Sequence, residues 1–288
     1  MIAEALQHCA GIGPVRLARL HDVGVRSWWD VLDDPQRIPA GLRSGLVAES
    51  RRCIEALTVD DVRYFVNRFE GLDKWRILSH FSEQTSFFDI ETMGLEYDAP
   101  ITVIVCWHKG QLWSFVEHEN LDDFLDLLDD VTLLASFNGG SFDVPRVCDA
   151  FHIPELPCPH LDLRWACYHQ GIRGGLKDIA VSLGIVRPPD LQGVDGQHAI
   201  RLWSGWRESK NQAARAGLIR YCAADVLMLL VIADRLIGQN GCTPDWAWAQ
   251  LPSALAMPPD SQPIVQPMHA SSASGPKQLR ARRMRRVG

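Results

Sequence analysis

The sequence lacks the features that mark a disulfide-bonded, zinc-ribbon or membrane-spanning protein. Its eight cysteines are scattered and include no Cys-x-x-Cys pair, so we interpret them as reduced thiols rather than a zinc site or a disulfide framework. No run of about 18 apolar residues is present, and the first residues do not join a basic segment to an apolar one. We therefore expect a cytoplasmic protein without a membrane partner.

The small net charge conceals an uneven distribution of charge along the chain. The formal net charge is −6, but the last twelve residues hold six of the 29 basic residues and no acid. The remaining chain therefore has 23 basic residues against 35 acidic ones. An acidic body suits a protein that binds cations, and a basic tail suits salt-dependent contact with a polyanion. A solubilising tail explains the same composition equally well.

Length and local composition predict two domains followed by a tail. A chain of 288 residues, of which 47% are hydrophobic and 22% charged, is long enough for about two globular domains. We assign a helical domain to residues 1–80 and an α/β domain to residues 84–240. Residues 251–288 are assigned to a flexible linker and the basic tail, because the linker is rich in Pro, Ser, Ala and Gln.

The N-terminal segment has the pattern of a helical hairpin. Apolar periodicity predicts a helix over residues 3–9, and Pro14 suits the first turn of a second helix. Between them, Gly11 and Gly13 allow a tight turn. The segment resembles a helix-hairpin-helix element, whose Gly-hydrophobic-Gly turn offers backbone N–H groups to a nucleic-acid phosphate. An ordinary αα-hairpin is the alternative. Further helices are predicted near residues 41–56 and 59–70.

From about residue 84, predicted strands and helices alternate. A meander of three strands followed by β-α-β units predicts a mixed five-stranded sheet flanked by helices, an α/β fold. Asn120 is the expected N-cap of the helix that follows the third strand. The predicted strands cover residues 86–92, 101–107, 111–116, 131–137 and 159–163, and the predicted helices cover residues 120–128, 141–151, 164–170, 176–183 and 211–237.

The first predicted strand ends on two carboxylates. Asp89 and Glu91 lie two residues apart, so their side chains point to the same face of the strand. Neighbouring carboxylates in a sheet repel each other by up to about 1 kcal/mol. A hard cation such as Mg²⁺ or Mn²⁺ would relieve that repulsion. Acids that simply face water are the alternative interpretation of an isolated Asp-x-Glu.

Two later segments supply matching polar groups. Asn138 follows the fourth predicted strand in a Gly-rich turn, and Asp143 lies in the first turn of the next helix. This is the end of a strand, where the active sites of α/β proteins collect. Tyr221 and Asp225 lie four residues apart on the last long helix, so they share one face of it.

In their order along the chain, these pairs resemble the three motifs of the DEDD 3′→5′ exonucleases in their tyrosine-bearing branch, with Asp89-x-Glu91, Asn138-x₄-Asp143 and Tyr221-x₃-Asp225. The segments 88–91 and 137–143 are similar to those of the proofreading domains of family B DNA polymerases. The chain resembles more closely a bacterial family of RNase H-like predicted exonucleases, also at residues 160–163 and 184–193. The resemblance covers residues 84–238 and implies an RNase H-like fold.

The resemblance also implies two divalent metal ions, Mg²⁺ or Mn²⁺, and a catalytic role for five residues. Asp89 would bridge both ions, and Glu91 and Asp225 would hold the ion on the side of the nucleophile. Asp143 would act on the second ion, and Tyr221 would position the attacking water. With its ordinary pKa near 10, a tyrosine suits orientation better than proton abstraction.

The expected function is hydrolysis of phosphodiester bonds from a 3′ end of nucleic acid. A non-catalytic nucleic-acid-binding module of the same fold and a structure-selective endonuclease are the alternatives. No motif reads the 2′-hydroxyl group, so the sequence does not choose between DNA and RNA, although the hairpin element slightly favours DNA. The candidate substrate-binding residues are Asn138, Thr92, Gly11 and Gly13.

Overall fold

A mixed five-stranded sheet forms the centre of the molecule. The computed structural model describes residues 1–96 and 98–253. The strand order is β3-β2-β1-β4-β5. Strands β1, β2 and β3 are antiparallel neighbours, whereas β4 is parallel to β1 and β5 is parallel to β4. The strands are β1 Thr85–Thr92, β2 Ile101–His108, β3 Gln111–Val116, β4 Leu133–Ser136 and β5 His160–Asp162.

Twelve α-helices lie within the described residues, and the first five precede the sheet. The predicted fold class, a mixed five-stranded sheet flanked by helices and preceded by a helical segment, is confirmed. The predicted linker and basic tail lie outside the described residues, apart from residues 251–253. The helices are α1 Pro14–Asp22, α2 Trp28–Asp33, α3 Ala40–Thr58, α4 Val62–Arg68, α5 Leu78–Phe81, α6 Asp123–Leu128, α7 Asp143–Ala150, α8 Leu163–His169, α9 Leu176–Ser182, α10 Gly196–Ser209, α11 Gln212–Leu236 and α12 Pro244–Ala249.

Alternation along β1 separates two hydrophobic cores. Phe87 belongs to the core that contains α11 and the N-terminal helices. Phe88 and Ile90 belong to a second core, which residues of α6 and α7 complete on the other face of the sheet. Because successive side chains of a strand point to opposite faces, Asp89 and Glu91 lie on the same face as Phe87. Both carboxylates therefore project toward the side of the sheet that α11 covers.

Helix α11 is apolar over most of its surface because protein covers most of it. Eighteen of its 25 residues are buried, and it packs on β1 and β2 and against α10 and α12. Its length and composition would suit a membrane span, but 83% of its apolar window is buried inside the protein. A helix that is hydrophobic all round is typical of a protein core. Polar residues on α11 are therefore exceptions that need partners.

The first predicted helix is absent. Only a 3₁₀ turn over Ile2–Glu4 is present, because side chains from elsewhere bind the backbone that follows it. Trp28 Nε1 donates to the Ala5 carbonyl at 2.6 Å, and the Gln7 N–H donates to Asp73 Oδ2 at 3.1 Å. These two hydrogen bonds take backbone groups that a helix would have paired internally.

The predicted role of Asn120 was also wrong. Helix α6 begins at Asp123, and Asn120 instead closes the turn after β3. Its Oδ1 accepts from the Val116 N–H at 2.9 Å, and its Nδ2 donates to the Ser114 carbonyl at 3.0 Å. An Asn side chain imitates backbone hydrogen bonds in a turn as readily as it caps a helix. Helices α10 and α12 were not predicted.

Candidate active site

The carboxylates of β1 lie beyond the point where its parallel neighbour ends. Strand β4 pairs with β1 only as far as Phe87. Asp89 and Glu91 pair with β2 alone, opposite Val105 and Val103. A break in register follows directly after Glu91, and such irregularities commonly re-aim side chains beside functional sites. The chain that leaves β4 turns here and begins α7 with Asp143, which places a third carboxylate in this region.

Asp89 and Glu91 form a compact cluster with a thiol from α11. One ligand atom each of Asp89, Glu91 and Cys222 lies within 4.8 Å of the other two. The Cys222 thiol lies 3.6 Å from Asp89 Oδ2 and 3.4 Å from the Asp89 carbonyl oxygen. Cys222 was not predicted as a site residue, because a cysteine next to Tyr221 on an apolar helix carries no signal of its own.

Burial and mutual repulsion disfavour the charged forms of these acids. Desolvation raises the pKa of Asp89 to about 7, against the opposing effects of the Cys222 thiol and of positive side chains nearby. Desolvation and the charge of Asp89 raise the pKa of Glu91 and the pKa of Asp143 well above their ordinary values. The three carboxyls therefore lie close enough to compete for negative charge. A divalent cation would neutralise that charge.

Asp162 holds the Gly-rich turn that precedes Asp143. Its two carboxylate oxygens accept from the N–H groups of Asn138 at 2.8 Å and Gly140 at 3.1 Å. The same side chain caps α8 by accepting from the Arg164 N–H at 3.0 Å. Asn138 has a left-handed backbone with φ of 63°, and its Oδ1 accepts from Arg164 Nη1 at 2.5 Å. Asp162 therefore holds the turn and caps α8 with the same carboxylate.

Close packing inside this turn requires glycine at position 139. A Cβ added to Gly139 would lie 1.7 Å from Ser136 Oγ and 2.9 Å from Asp143 Oδ2. Ser136 is itself held by His160, whose Nε2 lies 2.9 Å from the hydroxyl oxygen. Burial lowers the pKa of His160 to about 4, so this imidazole is neutral. Asp143 Oδ2 is buried and has no hydrogen-bond partner within the described part of the chain.

Tyr221 and Asp225 meet two cations from the segment before α11. Lys177 Nζ donates to the Tyr221 hydroxyl at 3.2 Å and to the Val194 carbonyl at 2.6 Å. Arg187 forms an ion pair with Asp225, and each of these two side chains is only 9% exposed. The guanidinium carbon lies 5.5 Å from the centre of the Tyr221 ring. Burial and the charge of Glu91 raise the pKa of Tyr221, so its hydroxyl keeps its proton.

The remaining predicted substrate contacts lie at turns. Thr92 ends β1, and its hydroxyl donates to the Gly94 carbonyl at 2.6 Å. Gly13 is the N-cap of α1. Gly11 has a left-handed φ of 81°, and its carbonyl accepts from Arg16 Nη1 at 2.8 Å. Their role in binding a substrate stays a prediction, as does that of Asn138.

The donor set of the site suits a hard divalent cation. Asp89, Glu91 and Asp143 offer carboxylate oxygens from one region, and Asp225 offers another beside Arg187. Oxygen donors of this kind are the ligands that Mg²⁺ and Mn²⁺ prefer. The buried Asp143 oxygen without a partner fits the same interpretation, since a bound ion commonly explains such an atom.

Comparison with known proteins gives a family and distant similarities to solved structures. The model of the RNase H superfamily matches residues 86–237, just over half of the chain. Among solved structures, the chain is similar to the family B DNA polymerase from the hyperthermophilic archaeon Pyrobaculum calidifontis, with 17% sequence identity and a TM-score of 0.44. That similarity covers 53% of this chain and 24% of the polymerase chain. A comparison with curated proteins gives no match.

Proposed function

We propose that this chain, which belongs to the RNase H superfamily, is a metal-dependent 3′→5′ exonuclease. Membership of the superfamily indicates a nuclease, and the order of the three motifs supports the 3′→5′ direction. The observation that supports the proposal is that Glu91, Asp143 and Tyr221 each interact electrostatically with Asp89. Asp225 is linked to this group through Arg187. Its substrate would be a nucleic-acid strand with a free 3′ end.

The four carboxylates would hold two divalent ions, Mg²⁺ or Mn²⁺. When bound, the ions would supply Lewis acidity and an activated water for an in-line displacement at phosphorus. The protein itself brings carboxyl groups together in a partly buried region, and the raised pKa of Asp89 reflects the energetic cost of ionising it there. Asp143 contributes a buried carboxyl whose Oδ2 makes no close hydrogen bond with the described residues, although Ser136 interacts with the same carboxyl.

Tyr221 suits the orientation of a water molecule rather than proton abstraction. Its hydroxyl stays protonated and is held by Lys177 at 3.2 Å. Lys177 and Arg187 also bring positive charge to the site, where a phosphate group would need it. The guanidinium of Arg187 is buried, where it bonds with the Tyr221 hydroxyl and pairs with Asp225. Arginine at such a position could also donate to phosphate oxygens of a substrate.

A cleavage time course on 5′-labelled single strands of DNA and RNA with matched sequence tests the proposal. With Mg²⁺ or Mn²⁺, we expect a ladder that shortens from the 3′ end, and no products with EDTA or with Asp89→Ala. Asp149→Ala is the matched control, because Asp149 is an exposed acid on α7 and should leave the ladder unchanged. Comparing the two strands identifies the preferred sugar.

Two other outcomes would contradict exonuclease activity. Discrete internal fragments would support a structure-selective endonuclease instead. Binding without cleavage, in the presence of either metal, would support a non-catalytic nucleic-acid-binding module of the same fold.

A further inference from the structure

A second cluster of potential metal ligands lies in the N-terminal helical part, outside the candidate active site. Glu49 and Cys53 are four residues apart on α3, so they share one face of the helix. That face meets His8 and Cys9, which lie in the segment before α1. No more than 5% of any of these four residues is exposed. Buried polar groups of this kind need a compensating interaction.

The distances from His8 Nε2 match those between the ligand atoms of a tetrahedral zinc site. Nε2 lies 3.3 Å from Cys53 Sγ, 3.7 Å from Cys9 Sγ and 3.7 Å from Glu49 Oε1. Zinc at its usual distances of about 2.0–2.3 Å from N, O and S places neighbouring ligand atoms about 3.3–3.8 Å apart. One atom each of His8, Glu49 and Cys53 also lies within 4.8 Å of the other two, whereas Cys9 lies outside this group of three and contacts it through His8.

His8 has no strong hydrogen bond that would account for its burial. Its Nδ1 has no partner among the residues that the structure describes. Its Nε2 is 3.7 Å from the Glu49 carboxylate, which exceeds hydrogen-bond distance, and its two sulfur neighbours are weak partners. Burial lowers the pKa of His8 to about 4, so the ring is in the neutral form that binds metal. Nε2, whose neighbours are these two sulfur atoms and the Glu49 carboxylate, is the nitrogen that faces the cluster and could bind a cation.

Hydrogen bonds and ion pairs with three side chains fix the orientation of the Glu49 carboxylate. Its Oε1 accepts from Arg68 Nε at 2.5 Å and from the Tyr64 hydroxyl at 3.0 Å, and Arg52 Nη2 lies 3.2 Å from Oε2. Such outer contacts orient a ligating carboxylate. The two arginines also offset the negative charge that two thiolates and a carboxylate would bring to a zinc ion.

We propose that His8, Cys9, Glu49 and Cys53 bind one structural zinc ion. Binding forms two Zn–S bonds and releases one proton from each thiol to solvent, with no change of oxidation state. The ion would fasten the segment that leads into Gly11 to helix α3. It would thereby support the turn before α1, where the predicted first helix is absent. This site does not depend on the proposed nuclease activity.

Metal analysis and cobalt spectroscopy of the full chain test the proposal. The chain is purified under reducing conditions without chelator, and we expect about one zinc ion per chain at this site. After refolding with Co²⁺, thiolate-to-cobalt charge-transfer absorption and the strong visible bands of tetrahedral cobalt should appear. Cys53→Ser should abolish the charge-transfer absorption. Cys222→Ser, the control that alters the thiol beside Asp89, should retain it.

The unaltered chain decides the outcome even if a variant does not fold. Absence of both zinc and thiolate-to-cobalt absorption in that chain would overturn the proposal. Absorption that survives in Cys53→Ser and disappears in Cys222→Ser would also overturn it, because the metal would then lie at the candidate active site. Cys9→Ser should lower the absorption, since one of two thiolates is lost. An unchanged spectrum in that variant would contradict the four-ligand site.

Discussion

Asp89→Asn should stabilise the metal-free protein at neutral and alkaline pH. Burial raises the pKa of Asp89 from 3.8 to about 7, so the folded chain keeps a proton that the unfolded chain has already released. The bound proton stabilises the folded chain fully at pH values below the pKa that Asp89 has in the unfolded chain. This stabilisation is lost as the pH rises through the pKa that Asp89 has in the folded chain. Removing the ionisable group should therefore matter little in acid and most above about pH 7.

The two pKa values set the size of the effect. Their difference of about three pH units corresponds to about 4 kcal/mol of unfolding free energy once the pH exceeds both values. Asp89 is only partly buried by area, so water offsets some of this cost. We expect a gain of about 2–4 kcal/mol near pH 8 and no more than about 1 kcal/mol near pH 4.5.

Denaturant unfolding in EDTA measures the gain in unfolding free energy near pH 8 and near pH 4.5. The transition is monitored by tryptophan fluorescence, to which the buried Trp28 and Trp203 contribute. Asp149→Asn, on the exposed face of α7, is the matched control and should change neither. Saturating Mn²⁺ should stabilise the natural chain more than Asp89→Asn, because a ligand that binds only the folded state raises its stability. A variant that is destabilised in EDTA near pH 8, or a gain that does not grow with pH, would refute the reasoning.

Three other expectations concern the motif turn and the tail. Gly139→Ala should lower the unfolding free energy by about 1–3 kcal/mol and abolish cleavage, because the added Cβ would overlap Ser136 Oγ. Gly196→Ala is the control and should have neither effect, because the space around Gly196 is open. Asp162→Ala should lower the unfolding free energy by about 1–3 kcal/mol in denaturant titration, since three backbone N–H groups lose their acceptor. Deleting residues 277–288 should weaken nucleic-acid binding most at low salt, and an unchanged salt slope in anisotropy titrations would exclude a role for the tail.

The periodicity of a single strand or helix was sufficient to predict which of its side chains share a face. The alternation of a strand places Asp89 and Glu91 on one face whatever the rest of the chain does. The four-residue spacing does the same for Tyr221 and Asp225 on α11. The sheet and its flanking helices followed from the same periodicities, which is why the fold class was predictable.

Prediction failed where a distant side chain competed for the backbone. Residues near Ala5 have an apolar helical pattern, but Trp28 and Asp73 bind the backbone groups that a helix needs. Asn120 is a residue type that commonly caps helices. Here its amide oxygen and nitrogen both bond to the backbone at the end of β3, so it does not cap α6.

The sequence by itself determined which residues share a strand face or a helix face, and therefore the fold class and the candidate carboxylates. Only the tertiary structure decided that Cys222 meets Asp89, that Arg187 pairs with Asp225, and that His8 meets Cys53. The first and last of these contacts join residues 133 and 45 positions apart. Strand and helix periods relate residues within about one turn, so contacts over such separations arise only when the elements pack.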